Sequence, residues 1–314
     1  MAMLQVGRLL LAAVLAFGVG KLVARLGLPS ILGWLITGMA LGPHALGLLQ
    51  SDVLDSGWFS AAESILECTV GLMIGTELLW DKLKKAGKQI VVITITESLG
   101  TFAVVSLVFG TIFWAVGVPV YLAFLFGGIA LATAPAPSLS IVNQMKTSGP
   151  VTSTLIPMAA LDDLVGALIF FTVVAFVSAH ISTAGVPVGV VLFLVFLPVL
   201  IGLATGFAAG RLMRKMRTQR AALAVMLTML LASAGIGFAI NRALPSPVLN
   251  FMLIGMGYSI MFANMISAEQ LAGIMKVMDP VIGLGLIVVI LNLGAPLDYH
   301  LIFGAGLYTA IYIA

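Results

Sequence analysis

Residues 153–180 read STLIPMAALDDLVGALIFFTVVAFVSAH, an apolar run interrupted near its middle by the adjacent carboxylates Asp162 and Asp163. No Lys or Arg lies within the run to pair with them. As a helix the run is long enough to cross a bilayer core, for which roughly 20 apolar residues suffice. A rise of about 1.5 Å per residue puts the two acids roughly 14 Å from Ser153, near mid-membrane. A charge at that depth is costly unless paired, hydrated or protonated, so an acid held there marks an ion or proton path. Adjacent helical residues point about 100° apart, which lets one acid face a cation while the other meets a base. The bland alternative is a structural polar pair satisfied by neighbouring helices.

The rest of the chain agrees with this membrane setting. Of its 314 residues 61% are hydrophobic and 9% charged, against roughly 25% charged in an average soluble domain. The expectation is an all-α polytopic membrane protein with spans over 4–20, 31–49, 59–79, 90–116, 121–145, 153–180, 188–209, 221–240, 248–265 and 281–297. An eleventh span begins near Leu301 and is still apolar at Ala314. Lys21 and Arg25, Lys82, Lys84, Lys85 and Lys88, Lys146, Arg211 to Arg220, and Lys276 fall in odd loops; the even loops hold Asp52, Asp55, His180 and Asp298 with Arg242 as their only base. Because basic loops stay cytoplasmic, the N-terminus is expected outside. The single Cys68 excludes an intrachain disulfide, and no Walker loop, nucleophile elbow or His/Cys cluster suggests an enzyme, a resident metal or a cofactor. The basic residues form no soluble stripe, so nucleic acid is not an expected partner.

Thr133-Ala134-Pro135-Ala136-Pro137-Ser138 lies inside the fifth expected span. Each proline removes a backbone donor and clashes with the preceding turn, so that helix is expected to be broken. Irregular backbone at membrane depth lines cavities, where freed carbonyls and half-helix ends can coordinate ions. Glu97 lies roughly 10 Å into the fourth span, where it either lines a cytoplasmic funnel for cations or snorkels to the interface. Glu63, Glu67 and Glu77 on the third span read as helix-interface hydrogen bonders. Asp279-Pro280 reads as the N-terminal cap of the tenth span, and Asn250 and Asn292 as polar contacts between helices.

These residues resemble the monovalent cation:proton antiporters, in particular the bacterial thirteen-helix sodium/proton antiporters. The resemblance rests on Arg25-Leu26-Gly27-Leu28-Pro29-Ser30-Ile31-Leu32-Gly33-Trp34 running on to Gly42-Pro43-His44, on Glu67 through Gly75-Thr76-Glu77-Leu78, and above all on a proline-broken fifth helix followed by Asp162-Asp163. It implies an inverted-repeat antiporter fold that exchanges Na⁺ or Li⁺ for H⁺ by alternating access, with no cofactor. Asp163 would be the main cation- and proton-binding carboxylate, Asp162 the partner of a lysine, and Thr133, Pro135, Pro137 and Ser138 the helix-crossing residues. It also implies a homodimer in the inner (plasma) membrane. Residues 1–80 and 220–297 would form the scaffold, 89–181 a moving core, 186–212 a linker helix, and 298–314 the start of a further core helix. The family's lysine and second broken helix would lie beyond Ala314, so the chain reads as truncated at its C-terminus. K⁺/H⁺ exchange, a sodium-coupled organic-acid symporter and a non-transporting membrane protein remain alternatives.

Overall fold

The computed structural model describes residues 2–131, 149–181, 188–216, 218–244, 249–298 and 306, and all regular structure among them is helical. In chain order the helices are α1 (Ala2–Arg25), α2 (Ser30–Leu41), α3 (Ser51–Leu54), α4 (Gly57–Gly75), α5 (Trp80–Val116), α6 (Leu122–Ala130), α7 (Pro150–Ile181), α8 (Val188–Met213), α9 (Gln219–Ala243), α10 (Phe251–Ala263) and α11 (Ala268–Gly294). Helices satisfy their own backbone groups, as a lipid environment demands. Met3–Arg25, Gly87–Val116, Val195–Met213, Gln219–Ala243 and Ala268–Gly294 are each long and apolar enough to cross a membrane. Leu10, Val14, Leu107, Trp114, Leu231 and Leu293 are exposed on these helices, half their surface or more. The expected all-α polytopic membrane fold is therefore found. The eleventh expected span and residues 133–138 lie outside the described residues.

Several helix boundaries differ from expectation, each for a local reason. The second span ends at Leu41 rather than Leu49, because Gly42 is extended (ψ 177) and Pro43 follows it. Leu49 N then donates to Leu41 O at 2.8 Å, and the folded-back Leu49 is 1% exposed in the core. Helix α5 starts at Trp80 rather than Ile90 and turns at Gly87, whose φ of 77° and ψ of 174° resist any side chain. That glycine separates a lysine-rich turn from the span.

The tenth span begins at Ala268 rather than Val281. Ser267 Oγ accepts a hydrogen bond from Gln270 N at 3.2 Å and caps it, and Pro280 lies inside the helix. Asp279 is thus no cap, and Lys276, expected in a loop, is helical. The sequence misled because a proline at a helix start and one tolerated inside a membrane helix look alike. Asn250 likewise caps α10, its Oδ1 accepting from Leu253 N at 2.9 Å, instead of bridging two helices.

The chain forms two compact units, Met1–Val70 with Met275–Ala314, and Gly71–Ile274. In the first, Ala12, Ala13 and Ala16 of α1 join Leu41, Leu49, Ile287, Leu291 and Ala295 in one core. Gly38 of α2 lies against the Leu291 carbonyl, and Gly294 of α11 against the Leu35 carbonyl, closer than a Cβ permits. Arg8 pairs with Asp52 at 3.3 Å, and Trp58 Nε1 donates to Gln5 Oε1 at 3.1 Å.

In the second unit α8 and α10 cross backbone to backbone. Gly202 and Gly206 face Ile254 to Tyr258, and a Cβ on Gly257 would stand 2.5 Å from Val199 O. With no hydrophobic drive between helices in lipid, such close packing is what holds them. The fully buried Tyr258 donates its hydroxyl to Met226 O of α9 at 2.8 Å. Asn264 fastens the connection between α4 and α5: its Nδ2 donates to Leu78 O (2.9 Å) and Ile260 O (2.7 Å), and its Oδ1 accepts from Trp80 N (2.6 Å). Asn264→Ala strips partners from two backbone groups of that connection, which is expected to cost about 1–3 kcal/mol. A fall of several degrees in the thermal midpoint of the purified protein would register it; an unchanged midpoint would show the clamp to be dispensable.

Candidate functional site

Helix α5 buries Ile90, Thr94, Ser98, Ser106, Phe109 and Phe113, a recurrence of three and four residues that marks one helical face. This face divides into two halves. Towards Val116 it is aromatic, with Phe109 stacked on Phe126 of α6 at 4.4 Å and Phe113 edge-on to Phe126 at 5.4 Å. Towards Gly87 it is polar.

Helix α6 approaches its neighbours through small residues. Gly127 meets Ser106 and Phe102 of α5, and Gly128 meets Phe170 of α7. Gly166 of α7 lies beside Leu131, 3.5 Å from a Cβ position. One helical turn before Gly166 stands Asp162, and two residues after Leu131 the chain reaches Thr133.

Asp162 is 1% exposed. Ser98 Oγ, itself 1% exposed as a residue, donates to Asp162 Oδ1 at 2.5 Å, a length expected of a hydroxyl giving its proton to a carboxylate. Glu97, the residue before Ser98 on α5, is exposed on its helix and lies near enough to Asp162 for the two acids to interact electrostatically. Thr101 Oγ1 stands 3.5 Å from Glu97 Oε1, at the limit of a hydrogen bond. Thr94, one turn before Ser98, is fully buried and its hydroxyl has no protein partner.

Among the residues singled out from the sequence, the structure brings Asp162 and Glu97 together. Asp163 follows Asp162 on α7; its side chain, and Thr133, Pro135, Pro137 and Ser138, lie outside the described residues. Sequence reasoning missed Ser98 and Thr94. The signal was there in Ile93-Thr94-Ile95-Thr96-Glu97-Ser98, hydroxyls at helical spacing inside an apolar span. Among the described residues no three His, Cys, Asp or Glu side chains form a metal-holding group. Elsewhere Asn292 of α11 donates to Glu63 Oε1 of α4, and His44 Nδ1 stands 4.0 Å from Asp298.

The family model described as "Sodium/hydrogen exchanger, transmembrane" matches residues 10–314. The chain belongs to the sodium/hydrogen exchanger family. This exchanger-family chain shares its fold with the sodium proton antiporter MjNhaP1 from Methanocaldococcus jannaschii, solved at pH 8. The two are 20% identical and superpose with a TM-score of 0.67 over 94% of this chain and 70% of that one. No curated protein matches the chain.

Proposed function

We propose that the chain is a secondary active transporter exchanging a monovalent cation, Na⁺ or Li⁺, for H⁺ by alternating access. The observation that carries the proposal is Asp162, 1% exposed at mid-helix on α7 with Asp163 beside it, in a chain of the exchanger family. Helix α7 runs 12 residues before Asp162, roughly 18 Å of rise. That depth and burial are what a site open to either side in turn requires.

In this reading Asp163 binds the cation or the proton, and Asp162 shares the competition while oriented by Ser98. Thr133, Pro135, Pro137 and Ser138 supply hydroxyls and freed carbonyls at the crossing. Residues 89–181 belong to the moving core, 1–80 and 220–297 to a scaffold that pairs two copies into a homodimer, and 186–212 link them. The N-terminus faces outside, and the basic loops face the cytoplasm of a cell bounded by the inner (plasma) membrane. The family affinity and the absence of any nucleophile motif both favour a transporter over an enzyme.

Because the proton and the cation compete for the same carboxylates, transport is expected to fall as the pH is lowered. For a single competing proton the cation concentration giving half-maximal flux rises by up to about tenfold per pH unit on the acid side. Cation-driven proton flux measured against cation concentration at a series of pH values tests this. A half-saturation point that does not move from acid to alkaline pH would remove the shared-site mechanism.

A further inference from the structure

We propose that the cavity beside the connection of α4 to α5 binds the headgroup of an aminophospholipid of the phosphatidylethanolamine class, with Lys84 on its phosphate and Asp81 on its ammonium. The inference goes beyond the antiport reading and does not depend on it.

The cavity has a volume of about 590 Å³, within the roughly 300–1,000 Å³ usual for small-molecule sites. Its walls are the start of α5 and the turn from α10 to α11, all within the second unit. Asn264 fixes one wall against the other, and its amide is engaged with Leu78, Ile260 and Trp80. Polar contacts to a ligand therefore fall to Asp81 and Lys84. These are the charged groups among the described lining residues, both are exposed, and no ion pair joins them. Three residues apart on a helix, they are neighbours, with about 5–6 Å between Cβ atoms. A phosphate and an ammonium joined by an ethylene link reach two such neighbours at once, each meeting the opposite sign. An anionic headgroup would satisfy Lys84 but set its charge against Asp81; a zwitterionic one satisfies both. The setting favours a lipid over a soluble phosphate ester. Asp81 and Lys84 stand just before Gly87, where the apolar span Gly87–Val116 begins, and the span Ala268–Gly294 begins on the opposite wall. The cavity thus lies at the ends of two spans, at headgroup level. Trp80 on its rim, 55% exposed, is a residue type that settles at that level. Leu79, Ile266 and Leu271 give the cavity an apolar side for the glycerol and first acyl carbons. Lys82, Lys85 and Lys88 in the same stretch of sequence strengthen the attraction for phosphate.

The test offers the purified, delipidated protein phosphatidylethanolamine, phosphatidylglycerol and phosphatidylcholine with the same acyl chains. Native mass spectrometry counts the lipid retained, and the thermal midpoint is read alongside. The ethanolamine lipid is expected to be retained up to about fivefold over the glycerol lipid, the size of one exposed ion pair, and to raise the midpoint most. The choline lipid is expected to fall behind it, because a quaternary ammonium has no N–H to donate to Asp81. Asp81→Asn is expected to abolish the preference, Asp81→Glu to restore it, and Lys84→Gln to weaken retention of all three lipids. Because the preference is a ratio within each variant, a general loss of stability does not move it. Glycerophosphoethanolamine, which keeps the headgroup and lacks the acyl chains, is expected to leave the midpoint unchanged; stabilisation equal to that by the lipid would make the ligand a soluble phosphate ester and overturn the lipid site. A parent protein that prefers phosphatidylglycerol would reduce the stretch to a plain basic patch. Equal retention of the three lipids, or of none, would leave no headgroup site, and a preference that survives Asp81→Asn would place the site elsewhere. Each of these results overturns the proposal.

Discussion

Asp163→Asn is expected to lower cation-driven proton flux by at least about 100-fold, equivalent to ~2.7 kcal/mol. Two carboxylates follow one another on α7. Asp162 accepts a hydrogen bond from Ser98 at 2.5 Å, and in the proposed reading the adjacent Asp163 is the residue that binds the cation. Asparagine keeps the size and removes both the charge and the exchangeable proton at the carboxylate proposed to bind the cation. Asp162→Asn is expected to do less damage, because an amide still accepts the Ser98 hydroxyl. Asp162→Asn should not lower thermal stability, since the buried charge of Asp162 is costly to desolvate and its loss relieves that cost. Flux and melting measured on both variants check the division of roles. Equal and complete loss of transport in both would contradict it.

Gly257→Val is expected to be the most disruptive packing change. At this crossing the backbones of α8 and α10 are in contact: a Cβ on Gly257 would stand 2.5 Å from Val199 O and 3.2 Å from Leu203 N, and Gly202 and Gly206 meet α10 in the same way. The obstacles are main-chain atoms of a helix, which cannot swing aside as a side-chain tip can. Overpacking of an ordinary core costs about 1–3 kcal/mol, and a backbone clash that parts two helices sits at the upper end or beyond. Separation would also pull Tyr258 off Met226 O and disturb the Ser233 Oγ to Thr205 Oγ1 hydrogen bond of 2.7 Å. The expected result is a lower yield of monodisperse protein in detergent and a thermal midpoint reduced by many degrees. Gly235, with nothing within 4 Å of its Cβ position, is the control, and Gly235→Ala should leave both unchanged. A Gly257→Val protein as stable as the parent would show that the crossing can widen without loss.

The periodicity and depth of apolar runs made most of the helices legible, because membrane helices announce themselves by length and hydropathy alone. Their ends were less legible. Asp279-Pro280 carries the signature of a helix start, yet Ser267 caps the helix more than a turn earlier; in lipid a proline within a helix is affordable, and the signature loses its force. Asp162 and Glu97 each stood out as intramembrane acids at similar depth on their helices. What the sequence did not disclose was their proximity, since adjacency of α5 and α7 depends on the small residues Gly127, Gly128 and Gly166 that draw three helices together. Ser98 escaped for the same reason. A serine in an apolar span most often bonds its own backbone, and only the neighbouring helix turns this one into a partner for a carboxylate.

Exchange itself is the central claim, and the most direct test is the response of a preformed proton gradient in inside-out membrane vesicles containing the protein when Na⁺, Li⁺ and K⁺ are added in turn. The gradient is expected to collapse on addition of Na⁺ or Li⁺, more readily at alkaline than at acid pH. A gradient that survives all three cations at every pH would contradict the account.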